Sequence, residues 1–440
     1  MARAKKEAAL TQEERLQAAL VPDWEWPYKL PENWCWVRLN CYLRHQSGNS
    51  KLIKGKLPNE YDNGLFKAFS ASGQDVFCDH FENEGDAIIV SAVGARCGKA
   101  FLATGKWCAI ANTHIIWPQT SSIDLKFLYY RMNDEDWWER SGSAQPFVAV
   151  NASLKRPYPL PPLVEQQRIV DRIENLFAKL DEAKEKAQTV LDSFETRKAA
   201  ILHKAFTGEL TAKWREEHSV GMESWEQYAF EDVIEKMQNG LAKRSGSEGK
   251  PFVVLRLANL LDNGFNTDDL REILLDDKEQ ANYELNENDV LLIRVNGSKD
   301  NVGKQFLITN QKKWAFCDHI IRIHYSKKVL PQYMVYFSQN EKYRLYIKDN
   351  MVSSAGQNTI SRKGMAHLLV PVPCIDEQAE IVRILEHLFA KEQQAKEAAE
   401  AVLEKIDLMK KSILARAFRG ELGTNDPNDE PALELLKKMV

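Results

Sequence analysis

Two glycine-rich turns followed by lysine are the first candidates for chemistry, because backbone amides and a lysine can bind the phosphates of a nucleotide. The segment from Gly94 to Gly98-Lys99 has three residues between its glycines, and the segment from Gly297 to Gly303-Lys304 has five. A phosphate-binding loop has four, and its lysine is followed by Ser or Thr, which holds magnesium. Neither segment meets these requirements, so we interpret both as turns that follow strands.

The tripeptide Cys-Asp-His occurs twice, as residues 78–80 and 317–319. A cysteine nucleophile could in principle use the histidine as its base, but neighbouring side chains of a strand point to opposite faces. The sequence contains no HExxH, GxGxxG or GxSxG motif. Its single Pro-Pro pair, Pro161-Pro162, lacks the amide and the aromatic ring expected of an amino-group methyltransferase loop. We therefore predict no catalytic residue and no metal site in this chain.

Recognition of DNA bases requires polar side chains on loops, with Lys and Arg nearby to bind phosphates. Suitable segments follow Trp34 and Trp225, at comparable places in two related parts of the chain. A plain solvated loop explains each segment alone equally well, but their joint occurrence favours DNA binding. The predicted DNA-binding residues are Gln46, Asn49, Lys51, Lys54, Lys56, Lys243, Arg244, Ser245, Lys250, Arg294, Asn296 and Lys299.

Length and composition limit the class of protein. The 440 residues allow about three domains, and 44% hydrophobic with 28% charged residues is typical of a soluble globular protein. The net charge of -4 excludes a protein that coats nucleic acid nonspecifically, so any DNA binding must be local. Seven cysteines without a CxxC pair indicate reduced thiols in the cytoplasm. We see no export signal and no apolar run approaching the ~18 residues of a membrane span.

An internal duplication organises the chain. Glu165-Gln166 recurs as Glu377-Gln378, and the alignment that these pairs define continues without a gap until the segment 205–210 meets the segment 417–422. Roughly half of the aligned pairs between 165 and 210 are identical, which is far above the level expected from composition. The sequence therefore contains a true repeat.

Each copy of the repeat has the apolar spacing of a coiled-coil helix. Proline precedes each copy, and Gly208 and Gly420 stand where a glycine would end the helix. About 45 residues would form a helix ~65 Å long, which most simply buries its seam against the other copy. The alternative is two independent helices, each packed on its own domain. The predicted seam residues are Ile169, Ile173, Leu176, Leu180, Ala183, Ala187, Val190 and Phe194 in the first copy, and Ile381, Leu385, Leu388, Ala395, Ala399, Val402, Ile406, Met409 and Ile413 in the second, with Glu392 as a polar interruption.

The segments between the helices are rich in aromatic residues, Gly and Asn, and contain short strand-like runs at 86–90 and 289–293. Each run is followed by a Gly-Lys pair and then by His114-Ile115-Ile116 or His319-Ile320-Ile321, so we align these segments with each other. We predict an α+β protein in which antiparallel pairing of the two helices gives approximate two-fold symmetry. The predicted parts are an N-terminal helical segment (1–27), a first domain (28–157), a central repeat helix (158–216), a second domain (217–369), a distal repeat helix (370–424) and a C-terminal tail (425–440).

This organisation resembles the specificity subunit of type I restriction-modification enzymes. The resemblance lies in the helix entries Pro-Leu-Pro-Pro-Leu-Val-Glu-Gln (159–166) and Pro-Val-Pro-Cys-Ile-Asp-Glu-Gln (371–378), and in the helix ends at 205–210 and 417–422. The Leu-Pro-Glu-Asn-Trp segment at 30–34 is similar to the opening of that family's first target recognition domain.

The resemblance implies a non-catalytic protein that reads a split, asymmetric DNA site, with one recognition domain on each half and a helical pair that sets their spacing. It also implies two modification subunits as partners, each bringing S-adenosylmethionine and an adenine-N6 methyltransferase site. Restriction subunits that use ATP and magnesium for translocation and cleavage are implied as well, whereas no cofactor is expected in this chain. The alternative that the residues leave open is a protein-interaction scaffold with two α+β domains.

Overall fold

The computed structural model describes residues 11–94, 97–142, 145–246, 248–261, 264–310 and 313–439. Residues 1–10 of the predicted N-terminal segment and Val440 of the predicted tail lie outside the described residues. The helices are α1 (Gln12–Ala19), α2 (Leu125–Met132), α3 (Val150–Ser153), α4 (Leu163–Asp192), α5 (Phe194–Phe206), α6 (Ala212–His218), α7 (Asp277–Tyr283), α8 (Pro331–Phe337), α9 (Glu341–Asn350), α10 (Arg362–Met365), α11 (Ile375–Ala417) and α12 (Ala432–Met439). Among the described residues, no helix combines the length and apolar character required to cross a membrane.

The strands are short and fall into two sets. The first set is β1 (Cys35–Val37), β2 (Leu43–Ser47), β3 (Phe66–Ser70), β4 (Gly73–Cys78), β5 (Asn83–Glu84), β6 (Ala87–Ser91), β7 (Ala100–Ala103), β8 (Lys106–Ala109), β9 (Thr113–Pro118), β10 (Arg140–Ser141), β11 (Phe147–Val148) and β12 (Tyr158–Leu160). The second set is β13 (Glu226–Ala229), β14 (Ile234–Asn239), β15 (Lys250–Leu255), β16 (Leu260–Leu261), β17 (Gly264–Phe265), β18 (Arg271–Leu275), β19 (Val290–Ile293), β20 (Val295–Asn296), β21 (Gln305–Leu307), β22 (Trp314–Phe316), β23 (Ile320–Tyr325), β24 (Val352–Ser354), β25 (Gln357–Thr359) and β26 (Leu369–Val372).

The chain forms two compact units. The first comprises Met1–Lys186 with Ala401–Val440, and the second comprises Ala187–Glu400. Each unit contains one globular domain of helices and sheets, together with segments of both repeat helices. The predicted α+β class is therefore confirmed.

The two domains share one topology. The first unit has the antiparallel sheet β2-β9-β6-β7 and the mixed sheet β4-β3-β8-β5, in which β3 and β8 run parallel. The second unit has the corresponding sheets β14-β23-β19-β21 and β18-β15-β22, in which β15 and β22 run parallel. The predicted strand-like runs are confirmed as β6 and β19, whose residues are all buried, as their continuous apolar sequences require.

The register corrects part of the predicted alignment between the domains. Ser91 and Ile293 make the same backbone bonds to the Gly-Lys pair that follows, so the preceding residues Val90 and Leu292 are equivalent. His114 lies opposite Val90, whereas Ile321 lies opposite Leu292. His114 therefore corresponds to Ile321 and not to His319. The two Cys-Asp-His tripeptides are unrelated as well, because Cys78 ends β4 while Cys317 follows β22, the counterpart of β8. The Cys-Asp-His tripeptide therefore occurs twice by chance, as the hydrogen-bond register of the strands shows.

The distal repeat is one continuous helix, α11, but the central repeat is divided into α4 and α5 at Ser193. Regular backbone bonds nevertheless continue across Ser193, from its N–H to the carbonyl of Thr189 (3.1 Å) and from the N–H of Arg197 to the carbonyl of Ser193 (2.9 Å), so the central repeat is one helical segment with a local distortion. Ser193 Oγ donates to the carbonyl of Thr189 (2.6 Å), and Arg197 Nη2 donates to the carbonyl of Val190 (3.3 Å). Side-chain bonds of this kind compete with the helical backbone bonds and bend helices. The predicted helix ends are confirmed, since Gly208 and Gly420 both have left-handed φ angles, of 82° and 72°.

Within each unit, segments of the two repeat helices contact each other in antiparallel orientation. In the first unit, Lys410 Nζ lies 2.5 Å from Asp181 Oδ1 and 5.0 Å from the ring centroid of Phe177. In the second unit, Arg197 Nε donates to Glu392 Oε2 (2.8 Å), and Lys396 lies over the ring of Phe194. The helices also pack on the domains, since Ile169 and Ile173 belong to the core of the first domain and Ile381 and Leu385 to that of the second.

The seam predicted for the distal helix is wrong at Ala395, Val402 and Met409, which are exposed. The covered face of this part of α11 consists instead of Glu392, Lys396, Ala399, Leu403, Ile406 and Lys410. Three of these side chains are charged and bind a charged or aromatic group of the central repeat, so apolar spacing alone does not locate this face. In the first copy, every predicted seam residue is buried or half-buried, as predicted.

The repeated Glu-Gln pair connects each helix to its domain. Gln166 donates to the carbonyls of Ser122 (3.1 Å) and Pro161 (3.0 Å) and accepts from the backbone N–H of Asp124. Gln378 makes the same three contacts in the second unit, with Lys328, Pro373 and Leu330. These buried amides are used both as donors and as acceptors, which fixes the position of each domain on its helix.

The glutamates of the same pair connect the beginning of one repeat to the end of the other. Glu165 accepts from Thr424 Oγ1 (2.7 Å) and from Arg168 (2.8 Å). Glu377 accepts from Thr211 Oγ1 (2.6 Å), Arg215 (2.5 Å) and Trp225 Nε1 (3.0 Å). Both carboxylates are fully buried, so these hydrogen bonds must offset a large desolvation cost.

Candidate nucleic-acid interface

Three loops meet at one end of the antiparallel sheet in each domain, and we call this group the loop cluster. In the first unit it comprises residues 48–51, 92–94 and 110–113, and backbone bonds from Gly48 to Thr113 (2.9 Å) and from Ala92 to Asn112 (2.9 Å) hold it together. In the second unit it comprises residues 240–245, 294–301 and 317–319, joined by bonds from Gly240 to Ile320 (3.0 Å) and from Arg294 to His319 (2.8 Å).

A glycine at the equivalent position begins the loop cluster in each unit, for a steric reason. A Cβ atom on Gly48 would lie 2.2 Å from the carbonyl oxygen of Ile110, and one on Gly240 would lie 2.1 Å from that of Cys317. Only glycine permits this close approach of two backbones. The chain can therefore leave the sheet and present the next residues as an exposed loop.

In the first unit, most of the predicted residues lie at or beside the loop cluster. Asn49 donates to Glu82 Oε1 (2.5 Å) and accepts from the backbone N–H of Lys51. Lys54 forms an ion pair with Asp75, whereas Lys51 and Lys56 are exposed and make no side-chain ion pair within the described part of the chain. Lys51 and Lys56 are thus the cations most available for a phosphate.

Gln46 and Asn49 also line a cleft of about 540 Å³ together with Glu82 and Asn83, which sequence reasoning missed. Glu82 precedes β5 and Asn83 begins it, and the pairing of β5 with β8 brings both beside Asn49, so no local sequence signal indicates their role. His80 stands nearby, with Nδ1 2.7 Å from Asp79 Oδ1, and the hydrogen bond to that carboxylate raises the pKa of His80. The cleft therefore offers amide donors and acceptors and a carboxylate, the groups that read base edges.

In the second unit, the turn 317–319 brings two predicted arginines to one place. Arg244 Nη2 lies 2.8 Å from Asp318 Oδ1, and the backbone N–H of Arg294 donates to the carbonyl of His319. Ser245 follows Arg244 and is exposed. Arg244 and Arg294 belong to loops that are distant in sequence, and the structure places both in the loop cluster.

Lys243 and Lys250 point elsewhere. Lys243 Nζ lies 2.8 Å from Glu279, and Lys250 Nζ lies 3.4 Å from Asp277. Both carboxylates belong to the first turn of α7, beside the mixed sheet. These two lysines therefore have acidic partners, and their charges are less available to DNA than that of Lys299, which is exposed in the loop cluster.

Asn296 shapes the loop that carries Lys299. Its side-chain oxygen accepts from the N–H of Ser298 (2.8 Å), while Asn358 donates to the carbonyls of Asn296 (3.3 Å) and Gly297 (2.8 Å). Asn358 belongs to β25 of the hairpin β24–β25, which pairs with β20. Sequence reasoning missed this hairpin, because its role depends on a contact between segments that lie far apart in the chain.

Cys317, Asp318 and His319 place three potential metal ligands within 4.8 Å of one another. The guanidinium of Arg244 already neutralises the Asp318 carboxylate, and a cation would lie beside that positive charge. Burial raises the pKa of Cys317, which disfavours the thiolate that binds metals. The group acts as a support for Arg244.

Comparisons with known proteins agree with this geometry. A family model described as the type I restriction modification DNA specificity domain matches residues 46–191 and 222–405. The specificity subunit of the type I restriction enzyme StySPI of Salmonella potsdam is 35% identical over 277 residues, which is 62% of this chain and 59% of that protein. The specificity subunit of EcoKI of Escherichia coli K12 is 30% identical over 280 residues, 62% of this chain and 60% of that protein. The matched region thus spans about three fifths of the length of these two relatives.

Solved structures share the fold over most of the chain. The HsdS subunit from Thermoanaerobacter tengcongensis superposes with a TM-score of 0.61 at 19% identity, covering 90% of this chain and 99% of that one. A chain from a structure of the complex assembly and conformational transition of the type I R-M system gives a TM-score of 0.62 at 18% identity, covering 90% and 100%. Because the family model matches well over half of the residues, this chain belongs to the family of type I restriction-modification DNA specificity domains.

Proposed function

We propose that this chain is the DNA-recognition subunit of a type I restriction-modification complex and reads a bipartite, asymmetric site. The observation that carries the proposal is the loop cluster, which occurs at the same end of the same sheet in both units but presents different side chains. Asn49 occupies the position of Leu241, since each bridges the residue that follows β8 or β22. Different side chains on one scaffold suit the reading of two different half-sites.

The repeat helices set the distance between the half-sites in this proposal. The antiparallel contacts within each unit support pairing of the central repeat with α11 as a coiled coil there. Half-sites read from one face of B-DNA lie about one turn, ~34 Å, apart. A stiff pair of helices holds such a distance more closely than a flexible linker does.

The chemistry belongs to partner subunits. Two modification subunits would bring S-adenosylmethionine and methylate adenine N6, and restriction subunits would use ATP and magnesium; this chain acts as a non-catalytic subunit. The names of the relatives, specificity subunits of type I restriction enzymes, support this assignment. The free thiols of the chain's cysteines support a cytoplasmic location.

The outer face of α11 is the docking surface we assign to a modification subunit. Val402 and Met409, seven residues apart on one side of the helix, are 40% and 48% exposed, and Leu408, opposite the covered face, is 67% exposed. Neighbouring exposed apolar side chains on a helix are typical of a protein–protein contact.

Binding of a fluorescent duplex of random sequence to the purified full chain tests the proposal. We expect anisotropy to rise with protein concentration, and the logarithm of the association constant to fall linearly with the logarithm of salt concentration. A chain that leaves duplex DNA unbound at low salt would contradict the proposal and favour the protein-interaction scaffold.

A further inference from the structure

Each domain presents one hairpin with the same glutamine near its tip. Gln145 lies between β10 and β11, and Gln357 begins β25; the alignment that relates Glu165 to Glu377 also relates these two glutamines. In the first unit, the N–H of Gly94 donates to the carbonyl of Pro146 (2.9 Å); in the second, Asn296 pairs with Asn358. The residue after each glutamine thus contacts the loop that follows the central strand, β6 or β19, so the two glutamines are structurally equivalent.

Folding does not require these glutamines. Both are exposed, and neither amide makes a side-chain hydrogen bond to the described residues. The next residue of the second hairpin, Asn358, is different, since it is 6% exposed and binds two backbone carbonyls. An exposed side chain that is identical in two duplicated hairpins and has no partner within the described fold indicates a partner outside it.

The identity of the two glutamines also limits what that partner is. In the loop clusters, equivalent positions differ, as Asn49 and Leu241 do, which suits half-sites of different sequence. Two identical side chains at equivalent positions require a contact that is the same in both halves. The phosphate backbone is the part of DNA that does not depend on sequence, and Gln side chains commonly bind it.

Charge around the hairpins favours a polyanion. Asp and Glu make up 63 of the 440 residues, yet the segments 140–164 and 350–375 contain none. The first segment carries Arg140, Lys155 and Arg156, and the second carries Arg362 and Lys363. Arg140 and Arg156 pair with Glu135 (3.7 Å) and Glu139 (3.6 Å) outside the first segment. The remaining cations, Lys155, Arg362 and Lys363, form no ion pair among the described residues, and they lower the cost of bringing a phosphate to the amide.

We propose that Gln145 and Gln357 each donate an amide hydrogen bond to a DNA backbone phosphate, one beside each half-site, as equivalent positioning residues. This inference rests on the proposed DNA-reading function. A contact with the modification subunit is the competing assignment, and the experiment below separates the two.

The test uses the full chain and the same labelled duplex of random sequence over a series of KCl concentrations. We expect Gln145→Ala and Gln357→Ala to weaken binding about three- to tenfold each, and the double variant by about the product. The salt slope stays unchanged, because a neutral side chain displaces no counterion. Gln145→Glu and Gln357→Glu weaken binding further, since a carboxylate repels phosphate. Gln188→Ala, which removes an exposed glutamine bonded to Asp192, leaves binding unchanged.

Three results would overturn the inference. Alanine variants that bind duplex as the wild type does, but no longer co-purify with the modification subunit, would assign the glutamines to that partner. Variants that change which base pairs are preferred would make them base readers. Variants that change neither property would leave no role for the shared residue. A wild-type chain that fails to bind DNA is distinguished from all three, because it overturns the proposed function and the inference with it.

Discussion

At the scale of single residues, the buried carboxylate of Glu377 has the clearest energetic consequence. It is the only acidic partner of Arg215 among the described residues, and Arg215 is itself only 8% exposed. We predict that Glu377→Ala destabilises the protein by about 3–5 kcal/mol, because it leaves a buried cation unpaired. Urea denaturation measures the loss. Glu182→Ala, which breaks the exposed pair with Lys186, is the matched control and should change the midpoint little.

Two lysines of the first unit differ in whether their charge is available to DNA. Lys51 is exposed beside the loop cluster, while Lys54 forms an ion pair with Asp75. Lys51→Ala should therefore reduce the slope of log association constant against log salt by about 0.9, the contribution of one phosphate contact. Lys54→Ala should reduce it less. If both variants reduced the salt slope equally, or if Lys51→Ala left it unchanged, ion pairing would not determine which lysines contact DNA.

A histidine gives the pH dependence of stability. Burial, followed by the charge of nearby His45, lowers the pKa of His114, whose Nδ1 is buried without a partner in the described structure. The unfolded chain therefore takes up this proton first as pH falls below the ordinary value of 6.5. The contribution of neutral His114 to the free energy of unfolding is fully present above pH 6.5. It is lost as pH falls through the lower pKa of the folded state.

We predict that His114→Gln makes the urea midpoint less sensitive to acidification between about pH 7 and pH 5. His387→Gln, at an exposed position of α11, serves as the control and should retain the wild-type sensitivity. A variant at His114 that loses stability on acidification as steeply as the wild type would contradict this assignment.

At the scale of elements, α11 shows what apolar spacing can and cannot predict. Its start after Pro373 and the left-handed glycine beyond its end follow from the sequence, because proline and glycine restrict or permit particular backbone angles. Its covered face does not, since Glu392, Lys396 and Lys410 face the central repeat and bind charged or aromatic groups there. Long charged side chains can cover apolar surface while their ends pair, and a hydrophobic pattern omits them.

The exposed side of α11 is the surface where we expect the modification subunit to bind. Met409 is exposed on α11, away from the contacts with Asp181 and Phe177. We expect Met409→Asp to abolish or strongly reduce co-purification of the modification subunit while duplex binding by the isolated chain is retained. Gln394→Asp, at an exposed position of the same helix about four turns away, controls for added negative charge. Full assembly with Met409→Asp would place the docking surface elsewhere.

At the scale of the whole molecule, the sequence predicted the duplicated helices and the α+β class, because an internal alignment without gaps and helical spacing are both visible in a single chain. It predicted the first loop of each cluster from glycine, amide and lysine content. It could not predict that Lys243 and Lys250 bind α7, nor that Glu82 and Asn83 line the first cleft. Those facts depend on sheet register and on pairings between distant segments, which a single sequence does not reveal.

In the proposed function, this chain alone determines which split DNA site its partners modify. Sequencing of adenine-N6 methylation in cells that contain the modification subunit, with and without this chain, tests it most directly. We predict methylation in a single asymmetric motif, with two specified halves separated by unspecified base pairs, that appears only when the chain is present. The same methylation pattern without the chain, or a motif that is continuous or palindromic, would contradict the account.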